Sequence, residues 1–331
     1  MKTSKVLLFL LVFFNLPVWS EDSLVIYSGR HEKFVKPVME AFTKQTGIKV
    51  KLLNSKSAAL INRMRLEGKN TKADLFISND AGTLQIGADM GLFQPIDEEI
   101  VKVVGPKYRG EKNSWVGLSG RARVLVINTK YEEELSFIKS VFDLANPKLL
   151  GKLAVTHSAN SSFIAGITVY QKLAGDKKTL EFLAGLKKNS AGKVYNKHSK
   201  IVEDVAAGKK IVGLVNHYYI FRYLKKNPKA PIKMILPDQG EKGMGIAWNV
   251  AGIAILKHTK KLEQAKQLVA FLLSEKGQKM FSILNNEYPV RKGVPTAKGV
   301  TSDYKVADVP MSVLGKGRNK ALSLIEKVGL Y

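Results

Sequence analysis

S-G-R-A-R-V-L-V-I-N, residues 119–128, is a β-rich run without a break, and I-A-W-N-V-A-G-I-A-I-L, residues 246–256, is a second. Between them the pattern alternates: a strand over 152–156, helices over about 162–173, 179–187 and 201–207, and a strand over 211–215. The chain before residue 119 alternates in the same way. A strand over 24–27 leads to an amphipathic helix over 33–45 closed by Gly47, then to a strand over 48–53 with Val50 and Leu52 on one face. A helix over 57–67 ends at Gly68, a strand follows over 73–78, and Asp80 begins a further helix. Strand and helix in alternation, joined by short loops, build a parallel sheet with right-handed crossovers. Two long strands that bracket a complete unit of this kind read as paired crossovers between two lobes. Helices over 261–273 and 274–284 then pack on the first lobe. The expectation is an α/β chain of two lobes, 21–122 with 248–300 and 123–247 with 301–331, with a ligand cleft between them.

The first twenty residues read differently. M-K-T-S-K precedes an apolar run from Val6 to Phe14, with Val18 and Ser20 ahead of a cut before Glu21. That is the pattern of a secretory signal peptide, too short in its apolar part for a stable membrane span. The chain has 331 residues and no cysteine, which removes lipid anchoring through a thioether, disulfides and thiolate metal sites together. Its net charge of +25 suggests an anionic surface, an anionic ligand or nucleic acid. The lysines are scattered (Lys33, Lys36, Lys44, Lys49, Lys51, Lys56) with no interleaved aromatic code, so no nucleic-acid partner is expected.

In open parallel sheets ligands bind beyond the carboxyl ends of the strands. That rule places His31 and Glu32 after the first strand, and Asn79 and Asp80 after the third. It also places H-S-A-N-S-S, residues 157–162, after the strand at 152, and N-H-Y-Y, residues 216–219, after the strand at 211. If the lobes face each other, these four clusters meet in one cleft. Tyr218 and Tyr219 share a neighbour only if the strand has ended and a helix begun, because consecutive strand residues point to opposite faces. Taken alone, two adjacent tyrosines are more often packing or surface. Grouped with a histidine and carboxylates, they form a hard oxygen-rich set for which ferric iron is the natural cation. Zinc would prefer histidine and cysteine, and calcium or magnesium would favour carboxylates and carbonyls. The helix start at Asn160 and Ser161 suits an anion, or is a plain N-cap, and Arg121, Arg123 and Arg291 could add bidentate donors. There is no Ser-His-Asp order, Walker loop or H-E-x-x-H, so an enzyme is not expected.

With these residues in place, the chain resembles the periplasmic ferric-iron-binding proteins of ABC transporters. The resemblance runs from L-V-I-Y-S-G-R-H through A-D-L-F, L-S-G-R-A-R-V, N-P-K-L-L-G-K and V-N-H-Y-Y to E-Y-P-V-R. It implies a bilobal periplasmic-binding-protein fold, a monomer that hands iron(III) to an inner-membrane permease, and a periplasmic location. By the same resemblance Tyr218 and Tyr219 are paired phenolate ligands and His31 is the ligand from the first lobe. Arg121, Asn216 and Arg291 would lie near the metal and an accompanying carbonate, phosphate or citrate. The chain departs from the family where members carry a glutamate after A-D-x-F, a tyrosine after the histidine, or a tyrosine in the 157–162 loop. The places left open would be filled by Glu32, Asp80, an exogenous anion or water. The alternative on the same scaffold is a receptor for an organic anion or a phosphonate.

Overall fold

The computed structural model describes residues 23–301 and 303–330. The expected signal peptide lies outside the described residues. Strand β1 (Ser23–Ser28), helix α1 (Glu32–Thr46), strand β2 (Lys49–Asn54), helix α2 (Ser57–Glu67), strand β3 (Leu75–Ser78) and helix α3 (Ala81–Asp89) follow the expected alternation. Gly47 ends α1 in the left-handed region at φ 76°, where a side chain would be strained. Strand β1 pairs in parallel with β2 on one side and β3 on the other.

After β4 (Phe93–Gln94) and the short α4 (Glu98–Val101), the chain enters β5 (Val116–Asn128), in which all thirteen residues are buried. The second unit comprises β6 (Leu153–Thr156), α5 (Ser161–Asn189), β7 (Val194–Tyr195), α6 (His198–Ala206), β8 (Val212–Asn216), α7 (His217–Lys226) and β9 (Ile232–Ile235). The long α5 is two helices broken at Gly175, whose φ of 81° and ψ of 170° no helix contains. Strand β10 (Trp248–Leu256) then returns, followed by α8 (Leu262–Leu273), α9 (Glu275–Asn285), α10 (Val313–Lys316) and α11 (Arg318–Val328).

Strand β5 changes partners in mid-course. Up to Ala122 it pairs antiparallel with β10, and from Arg123 onward it pairs antiparallel with β8 and β9. This gives the bilobal α/β fold, with the sheet running β2-β1-β3-β10-β5-β8-β6-β7 through both halves. The sheet is mixed where a parallel one was expected. One crossover strand must leave the first lobe and the other must come back, so β10 runs against both β3 and β5. The two last helices were not anticipated. Helix α11 buries Ala321, Leu324 and Ile325 and packs on α5, while α10 packs on α3, where a Cβ on Gly82 would stand 2.8 Å from the Leu314 carbonyl oxygen.

Beneath the inner end of β5 lies a buried ion pair. Arg30 Nη2 stands 2.8 Å from Glu287 Oε2, and both residues are 2 % exposed. Ser119 donates to the same carboxylate and Arg30 Nη1 donates to Ser119 at 3.0 Å. Burial alone would raise the Glu287 pKa, but the charges of Arg30 and then Arg121 bring it below the usual carboxylate value. Between its folded and unfolded values the unfolded chain binds a proton that the native state does not. The stabilisation is therefore complete above about pH 4.3 and is lost as pH falls through the folded value. Glu287→Ala strands the Arg30 charge and is expected to cost about 3–5 kcal/mol by urea unfolding at neutral pH. An unchanged unfolding midpoint would show that the pair carries none of the stability.

Candidate metal centre

The strand-to-helix junction at Asn216 decides how the tyrosines meet. Asparagine is a strong N-cap residue, yet Asn216 makes no side-chain cap to α7. Its amide instead donates to the Tyr218 hydroxyl at 2.9 Å and to Ser162 Oγ at 3.1 Å, and its Oδ1 accepts from Arg123 Nη1 at 3.3 Å. Because α7 has already begun, Tyr218 and Tyr219 sit in its first turn with ring centroids 4.7 Å apart. The Tyr218 oxygen also accepts from Arg121 Nη2 at 2.7 Å. Two N–H donors, from Arg121 and Asn216, converge on that single oxygen.

The surroundings are cationic. Arg121 is 8 % exposed and also donates to the Asn79 carbonyl. Burial alone would weaken its charge, but the Tyr218 phenol and then Glu287 hold it above the ordinary arginine range. Arg222, one turn along α7, stacks over Tyr218 at 4.7 Å, over Tyr219 at 5.4 Å and over Phe34 of α1 at 4.6 Å. That stack reaches across the cleft from the second lobe to the first. Tyr219 is pushed up to about 12, by burial first and then by Tyr218, so without a metal it keeps its proton at neutral pH.

The histidines divide. His198 stacks on Tyr219 at 5.0 Å, and its Nε2 lies 3.5 Å from Arg123. Burial, then Arg123 and Arg121, keep it neutral. His217 accepts at Nδ1 from the Ala122 backbone (3.2 Å) and donates from Nε2 to the Asn286 carbonyl (2.7 Å), so it pins α7 to the crossover strand. Burial lowers it to about 4. His157 accepts at Nδ1 from the Ala159 backbone at 3.0 Å. His31 is exposed at the start of α1 and meets Phe34 edge-on at 6.1 Å, which puts it on the helix end that faces Arg222 and the tyrosines. Glu32, beside it, is exposed and 3.7 Å from Lys36.

Several residues of the expected clusters make bonds within the scaffold. Asp80 caps α3, accepting from the Thr83 backbone at 3.0 Å and from Thr83 Oγ1 at 2.9 Å, and it receives Asn249 Nδ2 at 2.8 Å. It is 3 % exposed, and three donors reach its carboxylate. Asn160 caps α5 through bonds to the Ser162 and Phe163 backbones, and Ser162 rather than Ser161 reaches Asn216. Arg291 donates to the Leu273 carbonyl at 3.0 Å, at the end of α8. Asn79 holds the Gly29 carbonyl through its amide at 2.9 Å. Arg222 and Phe34 were missed. Arg222 is four residues after Tyr218 and shares its helix face, a spacing that could have singled it out.

Among the described residues no three His, Asp or Glu side chains cluster tightly enough to hold a metal.

The iron uptake protein A1 of Synechocystis is 31 % identical over 93 % of this chain and 88 % of its own length. A Trichodesmium protein solved with iron and citrate ligands is 32 % identical, covers 93 % of this chain and all of its own, and superposes with a TM-score of 0.86. The ferric binding protein of Campylobacter jejuni is 27 % identical over 93 % of this chain and all of its own, with a TM-score of 0.87. Residues 38–308 match the bacterial extracellular solute-binding protein family, and the chain belongs to that family.

Proposed function

We propose that the protein is the periplasmic iron-binding component of an ABC-type iron(III) uptake system, which captures ferric iron in the cleft and delivers it as a monomer to an inner-membrane permease. The observation that carries this reading is the convergence of Arg121 and Asn216 on the Tyr218 oxygen, with Tyr219 beside it. Solute-binding proteins are transport components, so no bond is made or broken in the cargo beyond ligand exchange.

Tyr218 and Tyr219 supply the phenolates, and His31 closes on the metal from the first lobe, with Glu32 next to it. Arg121, Asn216 and Ser162 hold the accompanying anion. The lobes we propose are 21–122 with 248–300 and 123–247 with the C-terminal segment, the latter strapped across both by α10 and α11. Closure is a hinge motion about β5 and β10, which the change of partner at Ala122 and Arg123 supports.

Charge explains the need for an anion. Arg121, Arg123 and Arg222 surround the phenols, while Glu287 is paired with Arg30 and Asp80 caps α3. A bare trivalent cation is repelled here until the phenols ionise or an anion enters with it. The Trichodesmium structure, with its iron and citrate ligands, shows such a combination on the same fold. The organic-anion alternative has no comparable support, since the phosphonate-binding relative from Salmonella typhi is 22 % identical.

Ferric citrate added to the purified protein is expected to give a visible phenolate-to-iron absorption band, absent from the Tyr218→Phe/Tyr219→Phe double variant. A colourless wild-type complex, or a band that survives the double substitution, sinks the reading. Arg121→Met removes a charged donor from the phenolate. Competition with free citrate should show a loss of about 1.5–3 kcal/mol, roughly ten- to a hundredfold in affinity. Asp80→Asn keeps the helix cap and is expected to leave iron affinity unchanged in the same assay, whereas a metal ligand at that position would lose it.

A further inference from the structure

We propose that the pole of the second lobe opposite the cleft docks onto an anionic phospholipid bilayer. The cleft lies at the carboxyl ends of β6 and β8, marked by Thr156 and Asn216. The amino ends of β6, β7 and β8 therefore form the far pole. There the chain gathers Leu150, Lys187, Lys188, Lys193, Lys210 and Lys327.

These side chains form one continuous surface. Lys210 Nζ donates to the Gly151 carbonyl at 2.7 Å, which ties the loop before β8 to the loop before β6. Lys193 is close enough to Lys210 that, after burial, its charge is the next influence lowering the Lys210 pKa. Lys187, Lys188 and Lys327 line a single groove together with Gly192, the residue next to Lys193. Two carboxylates near this pole are already engaged. Glu134 pairs with Lys152 at 2.5 Å, and Asp204 is held by Tyr195 at 2.9 Å and Lys200 at 3.2 Å. Lys188, Lys193 and Lys327 form no ion pair among the described residues.

The chemistry of the patch selects the partner. Every cation in it is a lysine. A lysine is a flexible point charge suited to a diffuse layer of phosphates, whereas arginine forks serve bidentate recognition of one group. Leu150 stands 55 % exposed beside this lysine field, an apolar tip of the kind that enters the headgroup boundary. Nucleic acid would call for arginine and aromatic contacts that the patch lacks. Docking by this pole leaves the cleft at the opposite end open to solution, and the proposal does not depend on the identity of the cargo.

The test uses the protein beginning at Glu21, because the apolar run before it would bind lipid by itself. Apo and ferric-loaded forms are sedimented with vesicles of phosphatidylglycerol and of phosphatidylcholine, at low and at physiological salt. Binding is expected to the anionic vesicles alone and to weaken with salt. In Lys188→Glu/Lys193→Glu/Lys327→Glu it should fall on the order of 100-fold, with the iron absorption band intact. Leu150→Ser should weaken it less. Equal partition onto both vesicle types, or binding that survives the triple substitution, overturns the proposal. So does tight binding to heparin with none to vesicles, which would point to a soluble polyanion. If the triple variant fails to fold, Lys188→Gln/Lys193→Gln carries the same comparison, with an expected loss of about tenfold or more.

Discussion

One guanidinium ties the site to the scaffold. Arg121 stands at the last paired position but one before β5 leaves β10, and it donates both to the Asn79 carbonyl in the first lobe and to the Tyr218 hydroxyl in the second. Its charge is kept in place by the tyrosine it serves and by Glu287 below, which is itself held by Arg30. Taking such a group out of water is unfavourable unless its partners are fixed. The buried pair, the crossover strand and the paired phenols therefore form one electrostatic unit.

Local rules are relaxed where that unit meets the cleft. Asn216 stands at an N-cap and gives up the cap, at a typical cost of about 1 kcal/mol, to direct its amide at Tyr218 and Ser162. Arg123 Nε and His198 Nδ1 are buried without a partner behind the tyrosines. Departures from local preference of this kind concentrate at functional sites. Arg222 adds a cation over both rings and touches Phe34 across the cleft, so the electrostatic demand for an anion and the contact between the lobes share one side chain.

Much of this was legible in the sequence. The β-rich runs without a break at 119–128 and 246–256 marked the two long strands, because a strand buried on both faces needs no strict alternation. Glycines at positions 47 and 68 marked helix ends correctly. The antiparallel return of β10 was not legible, since strand direction depends on connections that periodicity does not encode. Asp80 and Asn160 show a different limit. Both lie at strand ends where ligands bind, but both are also ideal caps, and only the structure shows their oxygens on backbone N–H groups. Arg30 and Glu287 are 257 residues apart in sequence, and no local pattern announces such a pair.

The account rests on ferric iron being held by phenolate oxygens of the adjacent tyrosines. Resonance Raman spectroscopy of the iron-loaded protein, excited within its visible band, tests this most directly. Enhanced tyrosinate ring modes that diminish on substitution of Tyr218 and disappear when Tyr219 is also replaced are the predicted result. Stoichiometric iron binding with no tyrosinate modes would contradict the account and move the metal to ligands outside the pair.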